Sequence, residues 1–216
     1  MRAVIFANGV LNNLQDVHDI ILPDDLIIAA DGGMTYCRAL GIKPSIVIGD
    51  LDSLDPDYLK SLQTSGTEII SYPINKDQTD LELALHKALD LGYDEILVLG
   101  ALGARWDMTI ANLLLPAASE FSEVTIRLID GHQEIILLRG RGELSFNGKK
   151  GDMLSIVPLG QDAYGVTLLG LEYPLEDDVL KFGATQGISN VLINDTATVY
   201  IEKGLLLCIH IRKDKD

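Results

Sequence analysis

Cysteine is scarce in this 216-residue chain: Cys37 and Cys208 are the only two, and they lie far apart. That count leaves no disulfide framework and no thiolate metal site, so both thiols are expected to be buried and structural. Basic charge is also short. Against 32 Asp and Glu there are 17 Lys and Arg, a formal net charge of −15, which argues against a broad grip on nucleic acid or on an anionic membrane. No apolar run approaches the roughly 20 residues that a membrane helix needs. The opening M-R-A-V-I-F-A-N-G is too short for a secretory leader, so the expected location is the cytoplasm. Repeats and low-complexity segments are absent, and the charged residues 212–216 read as a solvated tail. No G-x-x-x-x-G-K-[ST] occurs, so this is not a P-loop enzyme. The four histidines form no Ser/His/Asp or Cys/His arrangement; His86, in a helical stretch, and His210, in a terminal strand, are expected to be packing or surface residues.

What is present is an alternation. Short β-branched or apolar runs at residues 2–7, 26–30, 45–48, 68–72 and 95–99 are separated by helical patterns at 34–40, 57–63 and 80–91, each with glycine near the expected end, and a further pattern runs over about 106–120. Strands alternating with helices predict a mostly parallel, Rossmann-like sheet covered on both faces. From residue 123 onward the pattern changes to short strands separated by Gly, Asn and Asp, including a long segment from Val166 to Leu175, which predicts an antiparallel β-sandwich. The expected domains are therefore an α/β domain over residues 1–121 and a β-sandwich over 122–216.

Four clusters share one topological address. Asp31-Gly32-Gly33, Gly49-Asp50-Leu51-Asp52-Ser53, Lys76-Asp77-Gln78-Thr79-Asp80 and the stretch from Gly100 to Asp107 each follow the carboxyl end of an expected strand. In open α/β sheets that edge is where ligands bind. Structural roles compete with functional ones here: Thr79-x-x-Glu82 is a capping box, Asp55-Pro56 reads as an N-cap and N1 pair, and Gly32-Gly33 can serve a tight turn. Asp50 and Asp52 sit two positions apart, on one face of an extended segment, where their charges repel. Either solvent or a hard cation offsets that repulsion, and Asp50, Asp52 and Asp80 supply oxygen ligands of the kind Mg²⁺ takes. Gly100-Ala-Leu-Gly103 with Arg105 offers backbone N–H groups, a helix start and one guanidinium, a cradle suited to phosphate.

In their order and spacing, A-D-G-G, G-D-L-D-S, K-D-Q-T-D-L and G-A-L-G-A-R-W-D resemble the motifs of thiamin pyrophosphokinases, and the later G-L-E-Y-P-L and G-I-S-N resemble that family's C-terminal domain. The resemblance implies a homodimeric enzyme that moves the pyrophosphoryl group of ATP to the hydroxyethyl oxygen of thiamin and releases AMP. By matching positions, Asp50, Asp52 and Asp80 would hold Mg²⁺. Asp31, Gly32, Gly33, Asp77, Thr79, Gly103, Arg105 and Asp107 would complete the nucleotide and phosphate site, with Asp107 or Asp80 favoured as proton acceptor. Tyr173, Ser189 and Asn190 would face thiamin at the dimer interface. Two positions depart from the family's usual G-G-R-x-D-H: Ala104 replaces the second glycine, tolerable if its φ is negative, and Met108 stands where histidine is usual. The rivals are a pyrophosphokinase acting on a pterin alcohol and a non-catalytic nucleotide- or metal-binding regulator.

Overall fold

The structure, a computed structural model, describes residues 1–11, 14–52 and 55–213, so Ser53 of the second cluster and residues 214–216 of the tail lie outside the described residues. The chain forms two compact units, Met1–Gly131 and His132–Asp216.

The first unit carries six parallel strands: β1 (Arg2–Phe6), β2 (Leu26–Ala30), β3 (Ile46–Gly49), β4 (Glu68–Ser71), β5 (Glu95–Leu99) and β6 (Thr125–Asp130). Their spatial order is β6-β5-β1-β2-β3-β4. β1, β2, β3 and β5 are apolar along nearly their whole length because helices cover both faces of a parallel sheet. The helices are α1 (Leu14–Ile20), α2 (Gly33–Leu40), α3 (Pro56–Thr64), α4 (Asp80–Asp90) and α5 (Trp106–Leu114). Their ends follow from local chemistry. Asp55 caps α3 by accepting the Asp57 N–H, with Pro56 at N1, and Thr79 caps α4 by accepting the Glu82 N–H. α2 closes on Gly41 in the left-handed region at φ 66°.

Two expectations are revised here, and α1 is a helix that the sequence analysis did not anticipate. The helix expected to reach residue 120 stops at Leu114; Pro116 has no N–H with which to continue it, and two 3₁₀ turns, Leu115–Ala117 and Ser119–Phe121, follow. β6, expected as the first strand of the sandwich, instead pairs in parallel with β5, so the compact unit runs ten residues past position 121 to Gly131.

The second unit is an antiparallel sandwich built from β7 (Gln133–Arg139), β8 (Gly142–Asn147), β9 (Met153–Pro158), β10 (Ala163–Leu169), β11 (Leu175–Leu180), β12 (Asn190–Val191), β13 (Thr196–Ile201) and β14 (Leu205–Ile211). One sheet runs β12-β9-β14-β7 and the other β11-β10-β13-β8. Alternate residues point inward, as with Ala197, Val199 and Ile201 of β13, and meet Leu206 and Cys208 of β14 in one core. The segment expected to run unbroken to Leu175 ends at Leu169, because Gly170 turns left-handed at φ 75°. β11 was not expected as a strand: L-E-D-D-V-L is too acidic to read as one, yet it forms an edge, where exposed Glu176, Asp177 and Asp178 discourage further pairing.

Candidate active site

In the first unit β1 leads to β2 on one side and is flanked on the other by β5, so the chain reverses its direction of winding between β1 and β5. The loops leaving the carboxyl ends of strands on either side of such a point diverge and leave a crevice. A cavity of about 380 Å³ occupies it. Asn8 and Gly9 after β1, Asp31 after β2, Asp50 after β3, Lys76, Gln78, Thr79 and Asp80 leading into α4, and Gly103 to Arg105 after β5 line its wall. Packing at this edge is tight enough to require glycine: a Cβ on Gly32 would collide with the Asn8 amide, and one on Gly33 with the Phe6 carbonyl, where α2 starts against β1.

The cavity is acidic. Burial pushes the Asp31 carboxyl above the ordinary carboxylate range; Asp80 and Asp50 push it the same way, while the Gly32 N–H and the Asn8 amide oppose. The Asn8 amide donates to Asp31 Oδ2 at 3.2 Å. Lys76 Nζ lies 2.8 Å from Asp80 Oδ1, an oxygen that is buried and receives no aligned hydrogen bond. Arg105 is held by Asp107 through two contacts, Nη2 to Oδ2 at 2.5 Å and Nε to Oδ1 at 3.1 Å. That pairing brings the Asp107 carboxyl down to about 2, which makes it a poor proton acceptor and a good orienter of the guanidinium. The Gly103 turn is tied by Thr109, whose Oγ1 accepts the Gly103 N–H at 3.1 Å. Asn112 is buried and donates to the Ala101 carbonyl at 2.6 Å.

Of the residues singled out from sequence, Asp31, Asp50, Thr79, Asp80, Gly103 and Arg105 line the one cavity. Thr79 does so while capping α4, so the structural and functional roles coexist. Gly32 and Gly33 shape the wall from behind. Asp52 and Asp77 are exposed and stand off the cavity wall, and Asp52 meets Asp50 only through its own N–H, 3.4 Å from Asp50 Oδ1. Among the described residues no three acidic, His or Cys side chains are gathered closely enough to hold a metal ion by themselves. Mg²⁺ is commonly held by one or two carboxylates, the remainder being water and phosphate oxygens; Asp50 and Asp80, whose Oδ1 faces the Lys76 ammonium without an aligned hydrogen bond, fit that mode. Ala104 is not in the negative-φ region: its φ is 60°. Met108 lies on the cavity wall, so a thioether occupies the place of the usual histidine. Asn8 and Asn112 line the cavity without having been singled out from sequence, and Lys76 stands in one of the four clusters without an assigned role. Asn8-Gly9 follows a strand just as the four clusters do, and that shared address was the signal for it.

In the second unit Asn190 is buried and its amide is committed. It accepts the Tyr173 N–H at 3.0 Å and donates to the Tyr173 carbonyl at 2.7 Å. Tyr173 itself is 64% exposed, and Ser189 is an exposed residue in the left-handed region at φ 59° whose N–H donates to Ser155 Oγ. His86 packs against the Phe121 ring and His210 is fully buried in β14, as expected of structural histidines. Both cysteines are buried, and burial pushes each thiol up to about 12.

Two family models match the chain: "Thiamin pyrophosphokinase, catalytic domain" over residues 17–128, and "Thiamin pyrophosphokinase, vitamin B1 binding domain" over residues 142–206. The chain belongs to the thiamin pyrophosphokinase family. A thiamine pyrophosphokinase of Bacillus subtilis is 32% identical over 206 residues, spanning 95% of this chain and 96% of its own. Thiamine pyrophosphokinase 1 of Oryza sativa is 27% identical, over 98% of this chain and 80% of its own. The crystal structure of a B. subtilis thiamine pyrophosphokinase superposes with a TM-score of 0.88 at 29% identity, covering 99% of this chain and all of the other. That of a Geobacillus thermodenitrificans thiamin pyrophosphokinase gives 0.86 at 26% identity, covering 100% and 99%. The two-domain architecture and the thiamin pyrophosphokinase activity expected from the motifs both agree with these relatives. No helix among the described residues is long and apolar enough to cross a membrane.

Proposed function

We propose that this chain binds ATP with its phosphates in the first unit's cavity and transfers the β,γ-pyrophosphoryl group to the hydroxyethyl oxygen of thiamin. The bond from that oxygen to the β-phosphorus forms, the bond from the β-phosphorus to the α–β bridging oxygen breaks, AMP leaves with the bridging oxygen, and the hydroxyl proton passes to a base. The observation that carries this reading is the convergence of three carboxylates, a lysine and a guanidinium on one cavity at the switch point of the sheet. In phosphoryl chemistry the protein chiefly positions groups and offsets charge.

Asp50 and Asp80 are the proposed Mg²⁺ anchors, with Asp52 brought in from the adjoining turn; the ion, when bound, would neutralise and orient the phosphate oxygens. Arg105, held in aim by Asp107, meets the charge that develops on the phosphates, and the Gly103 turn presents N–H groups to them. Asp31 and Asp77 belong to the nucleotide side. The low proton affinity of Asp107 fits it to orient Arg105 and not to accept the hydroxyl proton. In the second unit, Tyr173 and Ser189 offer exposed groups to thiamin, and Asn190 holds the Tyr173 backbone in place. The assembly proposed is a cytoplasmic homodimer with thiamin held where two copies meet.

Product analysis with ATP, Mg²⁺ and thiamin tests the reading. AMP and thiamin diphosphate should appear in equal amounts, and ADP as the nucleotide product would overturn it. In the same assay Asp50→Asn should lower kcat/KM roughly hundredfold or more while leaving the far-UV circular dichroism unchanged.

A further inference from the structure

Lys76 counts among the charges gathered on the cavity but has been given no step of its own, and its placement is unusual for a lysine. Its side chain is only 14% exposed, and its Nζ rests 2.8 Å from Asp80 Oδ1. Since that oxygen receives no aligned hydrogen bond, the contact is one of charge more than of direction. Both residues line the cavity, where Asp31, Asp50 and Asp80 all converge. The other cation on that wall, Arg105, is already committed to Asp107 by two contacts. The compensation of the three cavity carboxylates therefore falls to Lys76.

We propose that Lys76 is a counter-ion with two positions: it rests on Asp80 while the cavity is empty, and transfers to an ATP phosphate when a divalent cation takes the Asp80 oxygen. The inference rests on the Mg²⁺–ATP reading given above. An ammonium on a four-carbon stem is a mobile point charge with rotatable donors, and it gives up a single misaligned contact more easily than a guanidinium gives up a bidentate one. Each partner stays matched throughout: the carboxylate goes from ammonium to metal, and the ammonium from carboxylate to phosphate. Metal alone must therefore compete with Lys76 and binds weakly, whereas metal with nucleotide satisfies every charge at once. The exchange couples the two ligands, so that each raises affinity for the other.

Mn²⁺ titration of the nucleotide-free protein by calorimetry, alongside KM for Mg²⁺–ATP, tests this. Lys76→Met keeps the length of the stem and removes the competitor. It should bind Mn²⁺ roughly tenfold more tightly, and its KM for Mg²⁺–ATP should rise by roughly tenfold, as expected when one charge contact in a half-buried site is lost. Lys76→Arg, which can grip the carboxylate with two N–H groups, should weaken Mn²⁺ binding instead, and it keeps the test open should the methionine variant fail to fold. Mn²⁺ affinity that is unchanged, lowered or undetectable in Lys76→Met, or an unchanged KM, would overturn the exchange. Asp80→Asn separates this from the parent reading: if it retains Mn²⁺ binding and normal turnover, the metal anchor at Asp80 is wrong, whereas its loss of both leaves that anchor standing whatever Lys76→Met does.

Discussion

Asp31, Leu51 and Ala104 have positive φ values of 46°, 59° and 60°, and none is a glycine. Each sits just past the carboxyl end of a parallel strand, on or beside the cavity, which is where backbone strain is usually retained for function. For Asp31 the short polar side chain tolerates the left-handed region, whereas Ala104 has no such compensation. The strain at Ala104 is about 1 to 2 kcal/mol for a left-handed residue with a Cβ, offset in the reverse substitution by the greater freedom of glycine in the unfolded chain. Ala104→Gly should therefore stabilise the protein by up to about 1 kcal/mol, visible as a small rise in Tm; a fall in Tm would mean that neighbouring contacts, and not φ, decide the residue there. The expectation for this position depends on a dihedral angle, which residue type alone does not fix.

At the scale of elements, β14 carries the most consequential buried polar side chain outside the cavity. His210 is fully buried; its Nε2 lies 3.4 Å from Asp152 Oδ2, and neither ring nitrogen makes an aligned hydrogen bond. Burial lowers its proton affinity below the ordinary histidine value of 6.5 and Arg212 acts the same way, while Asp152 and Glu134 oppose them. Asp152 is itself lowered: the Lys213 and Lys149 N–H groups and His210 outweigh its burial. A histidine whose folded affinity is depressed resists protonation in the native state, so its stabilising effect is full above pH 6.5 and is lost as pH falls below it. Asp152 extends the loss below its ordinary 3.8. Thermal melts from pH 7.5 to 5 should show Tm falling below about 6.5, and His210→Gln should flatten that limb; an equally steep limb in the variant would assign it to other groups. Elements of this kind were largely legible in sequence. Leu26–Ala30 and Glu95–Leu99 were read to their ends because apolar runs bounded by turn residues leave little choice. Long-range pairing was not legible: nothing local in Thr125–Asp130 tells that it joins β5 in parallel, and nothing in Leu175–Leu180 that an acidic run is an edge strand. The site divided along the same line. Residues carried by motifs at strand ends were found, and Asn8 shares their address, whereas Asn112, in mid-helix, acquires its place from packing.

For the whole molecule the net charge of −15 is the governing quantity. Two copies repel at long range, so a homodimer needs an apolar contact to hold it. Helix α5 offers one: Trp106, Ile110 and Leu114 recur every four residues and are 81%, 54% and 45% exposed, whereas Asn112 is the helix's one buried residue. If the dimer forms through this stripe, Ile110→Glu places a charge at its centre and should convert the protein to monomer in light scattering at micromolar concentration, with higher salt favouring the dimer of the unmodified chain. A dimer undisturbed by Ile110→Glu would move the contact elsewhere.

Trp106 is also the chain's single tryptophan, set one residue after Arg105 at the first turn of α5. With 81% of it exposed, its emission is expected to be that of an indole in water, with no second indole to mask it. Phosphate arriving at the Gly103–Arg105 turn and a second copy covering α5 would both perturb this one fluorophore, and they are told apart by dilution, because association depends on protein concentration and occupancy of the turn does not. The molecule thus carries its own optical reporter one residue from the wall of the cavity.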